Sequence, residues 1–238
     1  MSELDLIKEL REKTGAGFLD CKNAIKENNG NIEHSIDSLR KKGLAKATKK
    51  SSREANEGAV GFYSNEKISL ILKINSETDF SAKSDTFLDF LDLIGNIALS
   101  QNNPALSLED LLNSVHNNKN VSEMLSEMIA KIGENLIISN LQVYDNKNYN
   151  FNFYVHNPYR ENVGKIVSMI LFSSDVTNDE IKNFSKNICM HIAASKPEAL
   201  DIDQLPSDLI ENERKIQSEM IQNSGKPLNE LKKLLMGR

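Results

Sequence analysis

Residues 68–98, ISLILKINSETDFSAKSDTFLDFLDLIGNIA, change their apolar period partway along the stretch. The first part alternates between apolar and polar side chains, as a half-buried β-strand does. Its apolar positions are Ile68, Leu70, Leu72 and Ile74. From about Asp85 the apolar side chains recur at helical spacing, at Phe87, Leu91, Ile94 and Ala98. This stretch therefore predicts a strand that leads through a short polar corner into an amphipathic helix.

The same order of elements recurs about ninety residues later. A short strand at 59–63 and a turn at Asn65 precede the quoted stretch, which makes a β-β-α unit. In the second occurrence, strand 151–155 is followed by a predicted turn at Asn157-Pro158 and by strand 163–172. The helix after it carries Ile181, Phe184, Ile188 and Ile192. The two helices end in similar runs, IALS at 97–100 and IAAS at 192–195, each shortly before a proline, and we interpret the two units as an internal duplication.

The N-terminal forty residues predict three short amphipathic helices that pack on one another. Ser2 is the predicted cap of the first, 14–17 (TGAG) ends it, and Asn31 caps the third. The apolar faces are Leu6, Ile7 and Leu10, then Phe18, Cys21, Ala24 and Ile25, then Ile32, Ile36 and Leu39. Residues 1–42 are therefore predicted to form a small bundle.

A basic segment follows the predicted bundle. Residues 40–53 hold seven lysines and arginines and no acidic residue. Three interpretations are open: a solvated continuation of helix and linker, a partner-binding segment, or a nucleic-acid contact. The last is least favoured because no aromatic residues are interleaved for base stacking. We place a basic linker at 43–57.

After Pro197 the sequence predicts a helical hairpin. The first helix carries Leu209, Ile216 and Met220, residues 224–227 (SGKP) break it, and a second helix carries Leu228, Leu231 and Leu235. The fold class is α+β, with antiparallel sheets in the duplicated core. The predicted divisions are the bundle at 1–42, the linker at 43–57, the first core half at 58–145, the second at 146–197 and the protruding hairpin at 198–238.

Composition narrows the class of function. The chain has 238 residues and a net charge of −5, which argues against a general nucleic-acid binder. The acidic start, MSELD, predicts no signal peptide, and the longest apolar runs are too short to span a bilayer. The two cysteines, Cys21 and Cys189, are predicted to be buried thiols in a reducing compartment. We expect a cytoplasmic protein that makes no membrane contact.

The sequence supports no catalytic site. None of the four histidines accompanies a nucleophile motif. Cys189 and His191 supply at most two metal ligands, so we predict that they are ordinary interior residues, with an enzyme as the weakest alternative. Residues 14–17 lack the lysine of a phosphate-binding loop and join two helices. We therefore expect no cofactor, no metal and no enzymatic activity.

Two segments are specific enough to indicate a family. They are LREKTGAGFLDCKNAI at 10–25, continued by NGNIE at 29–33, and INSETDFSAK at 74–83. Together they resemble the two signatures of bacterial elongation factor Ts, the nucleotide exchange factor of elongation factor Tu. Further matches are KIGEN at 131–135, MHIAASKP at 190–197 and SGKP at 224–227. The resemblance runs in order along almost the whole chain.

The resemblance implies a fold, a partner and a site. The N-terminal module would be like the ubiquitin-associated fold, followed by two core halves and a protruding hairpin. The partner would be elongation factor Tu in its GDP-bound form, with no direct nucleic-acid contact. Residues Thr78, Asp79, Phe80 and Ser81 would enter its GTPase domain near the magnesium site. Weaker docking contacts would come from Arg11, Thr14, Gly15, Gly17 and His191.

Three departures from the family pattern accompany the resemblance. Ser81 stands where the family usually has valine, which would soften an apolar wedge. Lys73 stands where an acidic residue is more usual, and longer members continue beyond Arg238, so the second half is expected to be incomplete. Self-association through the hairpin stays open beside partner contact.

Two alternatives to this interpretation are kept. The chain would be a docking or chaperone module if the bundle bound a partner without changing its nucleotide. Phe80 would be a hydrophobic staple at a helix entry if its ring packed on the following helix.

Overall fold

The computed structural model describes residues 2–147, 149–176 and 178–223. For Leu44, Lys46 and residues 220–223 it describes the backbone but not the side chains. The chain divides into two compact units, Met1–Ala193 and Ala194–Arg238. In the first unit, three helices precede a five-stranded antiparallel sheet with helices packed against it. None of the helices in the described ranges is both long and apolar enough to cross a membrane.

The predicted N-terminal bundle is present. It consists of α1 (Glu3–Thr14), α2 (Phe18–Glu27) and α3 (Ile32–Lys50). Ser2 caps α1 in a reciprocal hydrogen-bonded box with Asp5, and Asn31 caps α3 by accepting from the His34 N–H. The buried centre is formed by Ile7, Leu10, Cys21, Ala24 and Ile25. The likeness to the ubiquitin-associated fold stays a prediction.

Two details of this region differ from the sequence prediction. Phe18, assigned to the buried face of α2, is half-exposed because it lies in the first turn, before the helix face meets its neighbours. Helix α3 continues to Lys50, so the first eight residues of the predicted linker at 43–57 are helical. Its extra length packs along a later helix of the core, where Gly43 allows close approach to Ala130.

The first core half contains the predicted β-β-α unit and additional short elements. Its elements are β1 (Glu57–Ser64), β2 (Ile68–Ser76), α4 (Asp79–Ala82), α5 (Asp85–Ser100), α6 (Leu108–Asn113), β3 (Val115–His116), β4 (Lys119–Asn120), α7 (Val121–Ile132) and β5 (Leu136–Asp145). The predicted apolar stripe of α5 is fully buried, and Tyr63 packs so closely on this helix that a Cβ on Gly95 would lie 2.3 Å from its ring.

The second core half repeats the order strand, strand, helix. It contains β6 (Asn150–Arg160), β7 (Val163–Phe172) and α8 (Asp179–Ser195). All five long strands form one continuous antiparallel sheet in the order β5-β2-β1-β7-β6. The halves meet between β1 and β7, where Val60 and Gly61 pair with Gly164 and Val163.

In the second half, the predicted turn and the predicted buried face of the helix are both wrong in position. Asn157-Pro158 does not begin a turn: β6 runs to Arg160, and an irregular register near Pro158 accommodates the missing N–H. On α8 the buried residues are Ser185, Cys189 and Ala193, whereas Phe184 is 63% exposed. The face of α8 with Ser185 and Cys189 hydrogen-bonds to Asn152 of β6, so the buried stripe lies one position from the expected one.

The described part of the second unit contains a short 3-10 turn (Ile202–Gln204) and α9 (Ser207–Asn223). Helix α9 matches the first helix of the predicted hairpin, and Leu209 and Ile216 are exposed on it. The break at 224–227 and the second helix lie outside the described residues. The complete hairpin and its self-association therefore stay predictions.

Candidate partner-binding site

The polar corner predicted from the sequence lies between β2 and α5. The strand ends at Ser76, and the single-turn helix α4 begins at Asp79. Thr78 caps this turn, because its hydroxyl accepts from the Ser81 N–H at 3.2 Å. Ser84 then caps α5 by accepting from the Phe87 N–H. Two caps six residues apart make the chain turn twice and project residues 78–80, which we name the tip.

Phe80 is the most exposed aromatic side chain among the described residues, with 84% of its surface accessible. A hydrophobic staple requires the ring to pack against the following helix, and this exposure rules that alternative out. An exposed ring contributes little to the stability of the free protein. It also retains almost all of its apolar surface for burial against another molecule.

Asp79 shares the tip with Phe80 and forms an exposed ion pair with Lys83 at 2.8 Å. The hydrogen bond from the Lys83 ammonium lowers the pKa of Asp79, and the same bond raises the pKa of Lys83. The tip therefore carries a carboxylate at neutral pH. Because both side chains are exposed, water competes for the pair and a partner cation can replace Lys83.

The segment KIGEN at 131–135 contacts the corner, a role that sequence analysis did not assign to it. Gly133 ends α7 in the left-handed conformation, and Glu134 then accepts hydrogen bonds from both the N–H and the hydroxyl of Thr78. The Asn135 N–H donates to Glu77 at 2.6 Å. The sequence signal was the motif itself, but only the fold brings it beside residues 77–78.

Ser81 lies on the inner side of the corner. Only 5% of its surface is accessible, so its side chain packs into the core and is not part of the exposed tip. The predicted direct contact between this side chain and a partner therefore does not fit its position, because α4 turns it inward. Among the described residues its hydroxyl has no hydrogen-bond partner.

Replacing Ser81 with alanine is expected to stabilise the protein by about 1 kcal/mol, because a buried unsatisfied hydroxyl is removed. The midpoint of thermal unfolding is then expected to rise by roughly 2–4 °C. Ser35→Ala is the matched control: that buried hydroxyl donates to the carbonyls of Ala24 and Asn31, so its removal is expected to be destabilising. A lower midpoint for Ser81→Ala would show that its hydroxyl is satisfied.

The weaker docking candidates of the bundle lie at the α1–α2 turn. The Gly15 N–H donates to the Arg11 carbonyl with a φ of 65°, and the Thr14 hydroxyl donates to the Leu10 carbonyl. Gly17 precedes α2 as its cap residue. These contacts give Thr14, Gly15 and Gly17 a local structural role. Arg11 and Leu19, the latter 68% exposed, lie on the accessible surface around this turn.

The structure separates Cys189 from His191. Cys189 is buried as predicted, its thiol donates to the Asn152 carbonyl, and burial raises its pKa. His191 is exposed, so its prediction as an interior residue is wrong: the buried stripe of α8 passes through Cys189 and Ala193. Within the described ranges, no group of three or more His, Cys, Asp or Glu residues is arranged to hold a metal ion.

The basic segment makes contacts within the protein. Arg40 forms an ion pair with Glu123 on α7 at 2.7 Å, and Lys50 donates to the Gly133 carbonyl at 2.5 Å. Lys42 pairs with Glu27 inside the bundle. The segment is therefore more than a solvated linker. Through Arg40 and Lys50 it connects α3 to α7, the helix whose end contacts the tip.

The fold and the tip define a class of protein: an α+β binding protein with a separate helical bundle and an exposed aromatic residue on a hydrogen-bonded corner. The family model described as Elongation factor TS matches residues 77–238. Elongation factor Ts of Allorhizobium ampelinum is 38% identical over 236 residues, which cover 98% of this chain and 75% of that protein. Elongation factor Ts of Rickettsia typhi is 38% identical over 244 residues, which cover 100% of this chain and 78% of that protein.

The chain belongs to the elongation factor Ts family. A third relative, elongation factor Ts of Rhizobium etli, is 37% identical over 242 residues and is covered to 78% of its length. This membership confirms the resemblance found in the sequence. It implies a nucleotide exchange factor of translation elongation rather than a catalyst of covalent chemistry.

Proposed function

We propose that this protein binds elongation factor Tu in its GDP-bound form and promotes GDP release by inserting its tip near the magnesium site of the GTPase domain. The family assignment supports the partner, and the exposure of Phe80 on a fixed corner is the observation that supports the mode of action. We assign nucleotide release to the first core half. We assign docking to the N-terminal bundle.

The residue types at the tip suit this task. Burial of a phenylalanine side chain is worth roughly 1.5–3 kcal/mol, which is available to hold apart two segments of the partner. The Asp79 carboxylate brings negative charge and acceptors towards a magnesium–phosphate network. Magnesium requires nearly ideal octahedral geometry, so a small displacement of its ligands weakens the network.

Exchange needs no covalent step under this proposal. If the factor weakens the binding of the nucleotide, the nucleotide weakens the binding of the factor by the same free energy. GTP or GDP then displaces the factor from the nucleotide-free complex. The factor thus speeds exchange in either direction without changing the final equilibrium between free nucleotide and elongation factor Tu.

The direct test is release of fluorescent GDP from purified elongation factor Tu, with and without this protein, chased by unlabelled GDP. The proposal predicts that the release rate rises with factor concentration and saturates. Binding without faster release would overturn it and favour the docking or chaperone alternative. Binding is therefore measured in the same samples by sedimentation.

Leu19→Ser is expected to weaken docking while leaving the maximal release rate nearly unchanged. Leu19 is exposed on the bundle and distant in sequence from the tip, and burial of a leucine is worth roughly 1.5–3 kcal/mol. The half-saturating factor concentration is therefore expected to rise at least about fivefold. Titrations of the release rate against factor concentration measure both quantities.

Val115→Ser is the control for this prediction, because Val115 is similarly exposed but lies on β3 of the first core half, outside the bundle. It is expected to behave like the unmodified protein. A lower maximal release rate for Leu19→Ser at saturation would place the bundle in the release step and contradict the assignment.

A further inference from the structure

Glu134 contacts the tip through both oxygens of its carboxylate. Oε2 accepts the Thr78 backbone N–H at 3.1 Å, and Oε1 accepts the Thr78 hydroxyl at 2.7 Å. The same hydroxyl accepts the Ser81 N–H, which is the cap of α4. One carboxylate therefore orients the residue that starts the helical turn bearing Phe80.

Glu134 is itself held by its neighbours. Gly133 directs the chain out of α7, and its carbonyl accepts from Lys50 at the end of α3. Asn135 is buried, its N–H donates to Glu77, and its side-chain amide donates to the Arg53 carbonyl at 2.7 Å. Glu134 thus lies in a segment that hydrogen bonds hold on both sides, whereas the tip that it contacts is exposed.

We propose that Glu134 is a positioning residue for nucleotide release, which fixes Thr78 and so presents Phe80 and Asp79 in one orientation. The inference rests on the proposed function of the tip. Without the contact, the tip samples more conformations, and its ordering must be achieved at the moment when Phe80 is buried in the partner. The loss therefore falls on the maximal release rate, while docking through the bundle is retained.

The hydrogen-bond pattern separates positioning from a direct effect of charge. Glutamine keeps the length of the side chain: its carbonyl accepts the Thr78 N–H, and its amide donates to the Thr78 hydroxyl, which has a second lone pair. Aspartate keeps the charge but is one methylene shorter and cannot reach both donors. Positioning predicts activity in the order Gln above Asp, and a charge contact with the partner predicts the reverse.

The experiment compares Glu134→Gln, Glu134→Asp and Glu134→Ala with the unmodified protein in the GDP release assay. Glu66→Ala, which removes an exposed carboxylate in the turn at the opposite end of β2, is the control for net charge. Hydrogen exchange of the peptide covering residues 76–83 is measured in the free proteins. Thermal unfolding is measured for all variants.

We expect Glu134→Ala and Glu134→Asp to lower the maximal release rate about tenfold with little change in half-saturating concentration, because a mispositioned tip must be ordered before it can act on the partner. Glu134→Gln is expected to stay within about twofold of the unmodified protein, since it retains a hydrogen bond to the Thr78 N–H and forms one, reversed in direction, with the Thr78 hydroxyl. Hydrogen exchange in the peptide covering residues 76–83 is expected to become faster in Glu134→Ala and Glu134→Asp but not in Glu134→Gln. If Glu134→Ala is unstable, the test depends on the comparison of Glu134→Gln with Glu134→Asp.

Normal release by Glu134→Asp, or a defect in Glu134→Gln equal to that of Glu134→Ala, would overturn the inference. Failure of the proposed function itself gives a different result. In that case Phe80→Ala, measured in parallel, promotes GDP release as fast as the unmodified protein, or no sample accelerates release at all. Loss of activity in Phe80→Ala with normal activity in all Glu134 variants would reject the positioning role alone.

Discussion

Phe80→Ala is expected to lose most nucleotide release while the fold is kept. The ring is 84% exposed in the free protein, so its removal takes away little native packing and the unfolding midpoint is expected to change by less than about 2 °C. Under the proposed function, release depends on burial of that ring in the partner, worth roughly 1.5–3 kcal/mol, which corresponds to a fall of about 10–150-fold in rate. The assay is fluorescent GDP release at saturating factor, with thermal unfolding of the same samples.

The chain supplies a matched control for this variant. Phe184 is also a largely exposed phenylalanine, at 63%, but it lies on α8 in the second core half. Phe184→Ala removes the same kind of side chain and is expected to leave the release rate within about twofold of the unmodified value, a difference under 0.5 kcal/mol. If Phe80→Ala released GDP normally, the tip would have no apolar role. A collapse of its unfolding midpoint would instead mean that the ring supports the fold.

Gly58→Ala is expected to produce the largest loss of stability. Gly58 lies in β1 opposite Asn75 with a φ of 139°, a conformation that side chains other than glycine rarely adopt. An added Cβ would lie 2.2 Å from the Ile74 carbonyl oxygen and 2.7 Å from the Asn75 Cα, both in the backbone of the neighbouring strand. Backbone strain and overpacking together are expected to lower the free energy of unfolding by about 3–5 kcal/mol.

Denaturant unfolding followed by circular dichroism measures this loss. Gly17→Ala is the control, because Gly17 has an ordinary φ of −61° and the nearest atom to a new Cβ is 3.8 Å away. Its effect is expected to stay within about 1 kcal/mol, the size of a helix-cap change. Equal stability of Gly58→Ala and the unmodified protein would show that β1 shifts away from β2 without penalty, contrary to this packing. Because β2 leads directly into the tip, a destabilised Gly58→Ala is also expected to release GDP poorly.

Local patterns in the sequence were sufficient for most elements of the fold. Strand 163–172 and the helix beginning at Asp85 were predicted with the bounds that the structure has. Ser2 and Asn31 act as the expected helix caps, and the alternating residues of β2 are buried. These features depend on neighbours a few residues apart, so their physical causes are contained in short stretches of chain.

The errors occur where distant contacts decide the outcome. The buried residues of α8 are Ser185, Cys189 and Ala193 in place of the expected Phe184. This face of the helix forms hydrogen bonds with Asn152 of β6 and Ser168 of β7, two strands that lie far from it in the sequence. Helix α3 extends to Lys50 because α7 provides a surface for it, through Gly43 and the Arg40–Glu123 ion pair. Neither partner surface can be recognised from the periodicity of the helix itself.

The sequence by itself determined the family, the repeated β-β-α order and the corner as the candidate site, because motifs and periodicity are local properties. Tertiary structure alone decided which residues of the corner are accessible: Phe80 projects outward, whereas Ser81, its neighbour, turns into the core. It also brought Glu134 to Thr78 across 56 residues of chain. A hydrogen bond between residues so far apart depends on how α7 and β2 are placed together, and that placement follows from burial of the whole core rather than from either segment.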